Sequence, residues 1–259
     1  MEKDDINPFG GQPGFRKKPP KSQSKSTASK QKDVQKLDGF EWINDEAGGI
    51  CGEDVEYVEE EEMEQLPHRH IGVVLAVHPM GAFQLGTGFL ISRDLVLTCA
   101  HVTHSKAYMA EFESIYFYPA QYGELSNYIK VEDTATPEEY LTEEKWLFRK
   151  AYDYTLLKLK QKIDESGFLP LSGDLPQLDK NTTLTINGYP ESKYDKKNKK
   201  PKAVKQYGLT RKGYILDVYS EASYMVHRIS AEAGQSGAPV VKIEENGKMS
   251  VIGLHVGSP

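Results

Sequence analysis

The sequence predicts an all-β fold over most of its length, and three observations carry that expectation. Short β-branched runs recur from Ile71 onward with turn residues between them. Helical periodicity is nearly absent. Asn246-Gly247 sits between two such runs, which is the strongest short-range hairpin signal. Many short strands joined by turns build all-β domains. At 259 residues, 38% hydrophobic and 27% charged, the chain has room for one large or two small domains.

In chain order, residues 1 to 40 hold Pro19-Pro20, Ser22, Ser24, Ser26, Ser29 and many lysines, and few residues able to form a core. Such a stretch is expected to be a disordered basic arm. The run Glu53-Asp54-Val55-Glu56-Tyr57-Val58-Glu59-Glu60-Glu61-Glu62-Met63-Glu64 then reverses the sign of the charge. Its self-repulsion predicts a solvated, extended linker. Residues 1–65 are therefore expected to be arm and linker.

Ile71-Gly72-Val73-Val74-Leu75-Ala76-Val77 is the first strand, ended by Pro79. Gly86 to Ser92, a turn at Arg93-Asp94, and Leu95-Val96-Leu97-Thr98 read as a hairpin that runs directly into Cys99-Ala100-His101-Val102. Ser114 to Tyr118 is a further strand. Glu138 to Lys150 fits either a helical turn or a long excursion. Tyr152-Asp153-Tyr154-Thr155-Leu156-Leu157-Lys158-Leu159 is strand-like again. In the second half, Thr183 to Gly188 forms a strand and Asp195 to Lys202 a basic surface loop. Strand runs follow around 204–209, 213–219 and 224–229, and the Asn246-Gly247 hairpin joins 240–243 to 249–256.

Several function classes are excluded at this level. The net charge of −6 and a pI near 5.7 give no footprint for nucleic acid. Two cysteines, Cys51 and Cys99, make no disulfide scaffold. No apolar run approaches the ~20 residues a membrane span needs. Met1-Glu2-Lys3-Asp4-Asp5 lacks the basic-then-apolar pattern of a secretory signal. A cytoplasmic, monomeric protein is the resulting expectation. His68 and His70 have no cysteine or carboxylate partner at ligand spacing, so a surface strand is expected there, with no metal or other cofactor.

The chemistry concentrates in Ala233-Gly234-Gln235-Ser236-Gly237-Ala238-Pro239. A serine hydroxyl becomes a nucleophile only with a base in reach and backbone N–H groups to receive the oxyanion. Glycine two positions before the serine lets both N–H groups point the same way. A plain Gly/Ser turn fits the same residues. His101 and Asp153 stand at strand ends elsewhere in the chain, and they supply the residue types of a hydrolytic triad: an imidazole base and a carboxylate to fix its tautomer.

These contexts resemble the chymotrypsin-like (trypsin-like) serine proteases. Gly86-Thr87-Gly88-Phe89-Leu90-Ile91 followed by Leu97-Thr98-Cys99-Ala100-His101-Val102 is similar to that family's approach to its histidine. Tyr152-Asp153-Tyr154-Thr155 resembles its aspartate strand, with threonine where alanine is usual. Gly234-Gln235-Ser236-Gly237-Ala238-Pro239-Val240 resembles its nucleophile loop, with Gln235 for the usual aspartate. The order His, Asp, Ser agrees. The resemblance implies two six-stranded antiparallel β-barrels, residues 66–165 and 166–259. His101, Asp153 and Ser236 would act on a polypeptide substrate, and the Gly234 and Ser236 N–H groups would form the oxyanion hole.

Within the family the sequence resembles the staphylococcal-type glutamyl endopeptidases, through Asn187-Gly188-Tyr189-Pro190 and Ile252-Gly253-Leu254-His255. There the residue matching His255 binds an acidic P1 side chain. Ser230 sits where trypsins carry the aspartate that selects Lys or Arg, and a serine supplies no such charge. Picornaviral cysteine proteases are similar at Gly253-Leu254-His255-Val256-Gly257 and use that histidine to read Gln. Both groups carry threonine where this chain has Ala231. A Glu-selective serine endopeptidase is the expectation, with a Gln-selective protease or an inactive binding module on the same scaffold as alternatives. The resemblance also implies a last strand and a helix beyond Pro259, so the second barrel is expected to be truncated or closed otherwise.

Overall fold

The computed structural model describes residues 56–257 except 79–82, 105–111, 124, 126, 165–166, 174–181, 191–203, 206, 213–214, 220–223 and 228. The basic arm, Cys51, Gly213 and the basic loop at 195–202 lie outside the described residues.

The strands are β1 (Glu56–Tyr57), β2 (Ile71–Val77), β3 (Phe83–Leu90), β4 (Leu95–Thr98), β5 (Ser114–Pro119), β6 (Tyr122–Gly123), β7 (Ile129–Ala135) and β8 (Thr155–Leu159), then β9 (Thr183–Gly188), β10 (Val204–Lys205), β11 (Tyr207–Lys212), β12 (Ile215–Tyr219), β13 (Tyr224–His227), β14 (Pro239–Ile243) and β15 (Met249–Leu254). Three short helices interrupt them: α1 (Ala100–Thr103), α2 (Glu138–Thr142) and α3 (Trp146–Lys150). The stretch that the sequence leaves open between a helical turn and an excursion is therefore two helical turns. None of the described helices is long and apolar enough to cross a membrane.

The first half closes as a six-stranded barrel in the order β2-β3-β4-β8-β7-β5. Strand β2 shows how the sequence encodes it. Successive side chains point to opposite faces, so Val74 enters the barrel interior with Leu90, Val96, Phe117 and Leu157. Val73 and Leu75 face the other way, into a second core shared with Tyr189, Val241 and Val251. Both faces of β2 are buried, and that is why the run is apolar without alternation. Each fully buried Val or Leu contributes about 1.5–3 kcal/mol.

The second half is a five-stranded sheet, β1-β11-β9-β14-β15, with a separate β12-β13 hairpin. Its core holds Leu184, Ile186, Ile229, Ala238 and Val240. The Asn246-Gly247 hairpin forms as the sequence predicts, with Gly247 at φ +80° and its N–H donating to Glu244. The described strands of this half form an open sheet and a hairpin, a layout consistent with a second barrel.

Two expectations fail here. The acidic run is not wholly a linker: β1 pairs with β11, Glu60–Glu62 forms a 3-10 turn, and Val58 and Met63 enter the core. The glutamates of that turn are exposed while the two apolar residues flanking it are buried, so burial outweighs the charge repulsion that favours extension. His68 and His70 lie in a 3-10 turn, not a surface strand. His70 is fully buried and stacks on Phe168 at 4.9 Å, and His68 Nδ1 lies 2.9 Å from Asn187 Nδ2.

Candidate active site

Sheet register brings the first two site residues together. Thr98 pairs with Thr155 across β4 and β8. His101, just past the end of β4, therefore meets Asp153, just before β8. Helix α1 begins after Cys99 and turns the His101 side chain toward the carboxylate. Asp153 uses both oxygens: Oδ2 lies 2.7 Å from His101 Nδ1, and Oδ1 accepts the His101 backbone N–H at 2.8 Å. A carboxylate only accepts, so the partner assigns the proton to Nδ1 and leaves the Nε2 lone pair as a base. Asp153 is buried and the imidazole about one-third exposed.

The loop that carries Ser236 is held by the first barrel, chiefly by Thr87 on β3. The Thr87 N–H donates to the Ser236 carbonyl at 2.8 Å. Its hydroxyl donates to the Gly234 carbonyl at 2.9 Å and accepts the Tyr189 N–H at 2.9 Å. Its own carbonyl accepts the Thr98 hydroxyl at 2.6 Å. Gly237 fits beneath at φ +92°, where a Cβ would stand 2.0 Å from the Thr87 oxygen. In the sequence Thr87 is marked by nothing more than its place between Gly86 and Gly88.

Gly234 has φ +98°. Gln235 is fully buried, with its N–H donating to the Glu232 carbonyl and its Oε1 accepting the Glu232 N–H. Among the described residues, no backbone acceptor takes the N–H of Gly234 or Ser236, and these two donors remain available to an oxyanion. Ser236 Oγ makes no hydrogen bond to His101 among the described residues; such contacts are often long before substrate binds.

His255 lies just beyond β15, buried, with its N–H on the Ala238 carbonyl. Its carbonyl accepts the Gly237 N–H at 2.8 Å and the Cys99 thiol at 3.3 Å. Its ring partner is His227, which no motif in the sequence singles out, with Nε2 3.3 Å from His255 Nδ1. Ile229 N–H donates to His227 Nδ1 at 3.1 Å. That fixes a chain of tautomers: His227 carries its proton on Nε2 and gives it to His255 Nδ1, so His255 offers Nε2–H as a donor. Burial holds both rings neutral, pushing His227 down to about 4 and His255 to about 3, with His227, His101 and Lys150 adding repulsion at His255. Ser230 is buried and Ala231 half-buried in the segment between His227 and the serine loop.

Cys99, His101 and Asp153 offer ligand atoms within 4.8 Å of one another. They do not suit a metal ion. Burial and the Asp153 charge push the Cys99 thiol well up, and its S–H is engaged at His255, while His101 Nδ1 and Asp153 are committed to each other. Beside the pair lies a cleft of about 250 Å³ lined by His101, Tyr140, Arg149, Lys150, Asp153 and Val256.

Residues 86–254 match the family model of the trypsin-like peptidase domain. No curated protein matches the chain significantly. Among solved structures, a Glu endopeptidase in complex with MPD is similar at 17% identity and a TM-score of 0.59, over 80% of this chain and 87% of that one. A thermostable serine protease, AL20, from an extremophilic microorganism is similar at 15% identity and a TM-score of 0.55, over 74% and 86%. The protease Anisep from Arthrobacter nicotinovorans is similar at 13% identity and a TM-score of 0.50, over 74% and 84%. At these identities the likeness concerns the fold, a chymotrypsin-like one.

Proposed function

The chain belongs to the trypsin-like peptidases, and on that premise we propose that it is a serine endopeptidase that works through His101, Asp153 and Ser236. The observation that carries the reading is the two-oxygen grip of Asp153 on His101, which leaves Nε2 as a base. In the reaction, Ser236 Oγ adds to the scissile carbonyl while His101 Nε2 takes its proton. Asp153 stabilises the imidazolium that results. The Gly234 and Ser236 N–H groups receive the oxyanion. His101 then protonates the leaving amine, and the acyl-enzyme forms. Water, deprotonated by His101, repeats the addition and frees Ser236.

At P1 the reading is a Glu side chain, met by His255 Nε2–H. It is supported by the Lys150 charge acting at His255 and by a similar structure that is itself a Glu endopeptidase. A Gln-selective pocket is the second reading, favoured by the neutrality of both histidines. A donor without charge serves an amide oxygen as well as a carboxylate.

A P1-varied peptide panel combined with a fluorophosphonate probe tests both levels. Probe labelling of the wild-type chain that disappears in Ser236→Ala is the expected result. Absence of labelling removes the serine-peptidase reading, and cleavage after Gln but not Glu removes the acidic one.

A further inference from the structure

We propose that the cleft between His101 and helix α3 is a second acidic-side-chain subsite, which reads the substrate residue next to P1 on its acyl side, P2. The inference rests on the peptidase reading for the substrate's class and on the cleft itself for its chemistry.

Among the described residues, two cations line the cleft, Arg149 and Lys150, and the carboxylate there, Asp153, is already committed through both oxygens to His101. Arg149 makes no ion pair with a carboxylate among the described residues. Its guanidinium lies over the Tyr140 ring, 5.7 Å from the centroid, a contact that orders the fork without neutralising it. Lys150 is half-buried, and loss of hydration lowers its ammonium from the usual lysine range against the opposing pull of Asp153. Tyr140 is buried, and desolvation, with the Asp153 charge beside it, pushes its phenol well above the usual tyrosine range, so it keeps its proton. A partly desolvated guanidinium and ammonium around a space of side-chain size are the groups that recognise a carboxylate.

The position follows from the backbone. Strand β15 ends at Leu254, and no backbone hydrogen bond engages Val256 or Gly257 among the described residues. An extended peptide can add antiparallel to that free edge. With P1 at His255, one step forward along the protein is one step back along the substrate, and Val256 lines the cleft.

The test measures binding, so that it stands apart from turnover. Fluorescence anisotropy on full-length Ser236→Ala compares two labelled peptides that share Glu at P1 and differ only by Glu or Gln at P2. About tenfold tighter binding of the Glu peptide is expected, the scale of one charge-assisted contact. Adding Arg149→Glu should abolish or invert that preference, and Arg149→Lys should keep most of it. Equal binding of the two peptides, no binding of either, or a preference that survives Arg149→Glu overturns the subsite. Failure of the fluorophosphonate labelling with the P2 preference intact would instead remove the peptidase chemistry and leave the subsite standing.

Discussion

The Thr87 hydroxyl donates to the Gly234 carbonyl, 2.9 Å away and 147 residues later in the chain, and so fastens the serine loop to the wall of the first barrel. The same oxygen accepts the Tyr189 N–H, and the residue is fully buried. Thr87→Val keeps the shape and strands two buried backbone groups, a cost of about 3 kcal/mol. Thermal unfolding should register the loss, and kcat should fall because Gly234 loses its anchor. Thr87→Ser should restore both. A valine variant with unchanged melting and kcat would remove the anchoring role.

The Asp153 grip makes a kinetic prediction. Asp153→Asn keeps the volume and spoils the tautomer, and kcat should fall ~10⁴-fold, whereas Ser236→Ala should cost ~10⁶-fold. The double variant should be no worse than Ser236→Ala alone, as is expected of residues that act together in the proposed triad. Steady-state kinetics with a good peptide substrate checks this, and an additive double loss would contradict it.

Gly237 leaves no room for a side chain. A Cβ would lie 2.0 Å from the Thr87 oxygen and 2.4 Å from the Thr98 hydroxyl, at a φ of +92°. Gly237→Ala should therefore destabilise by on the order of 3 kcal/mol or more, combining left-handed strain with a clash against backbone. Gly247→Ala has the same sign of φ with open space around it, so it should cost only the strain. Denaturant midpoints of the two variants should differ clearly, and equal midpoints would refute the clash.

The histidine pair should make stability depend on pH. Unfolded, each ring takes a proton near 6.5; folded, His227 waits until about 4 and His255 until about 3. The unfolded chain therefore binds more protons across that window. Stability from this source is complete above about pH 6.5 and falls as pH drops towards 3, by about 1.4 kcal/mol per pH unit for each proton of difference. Unfolding midpoints at pH 7.5 and 4.5 should converge in the double variant His227→Gln, His255→Gln. An unchanged pH dependence in that variant would sink the assignment.

Much of the fold is legible in the sequence because its signals are local. β-Branched runs, the Arg93-Asp94 turn and Asn246-Gly247 each specify geometry over a few residues, and those hairpins form where expected. The acidic run misled for the converse reason. Its charge is a local property, while Val58 and Met63 gain their stabilisation from a core assembled out of distant strands. His101 and Asp153 could be named from their flanking residues, yet their contact depends on the Thr98–Thr155 register.

By itself the sequence determined the strand-rich class, the hairpins and the residue types available for acyl transfer, since propensity, turn chemistry and functional groups reside in single residues and short spans. Only the tertiary structure decided that Asp153 grips His101 with both oxygens, that Thr87 holds the Ser236 loop, that His227 sets the tautomer of His255, and that Arg149 and Lys150 border a cleft beside them. Each of these is a contact between segments far apart in the chain. The registers of β3, β4, β8 and the second sheet bring those segments together, and register is a collective outcome of packing both faces of every strand.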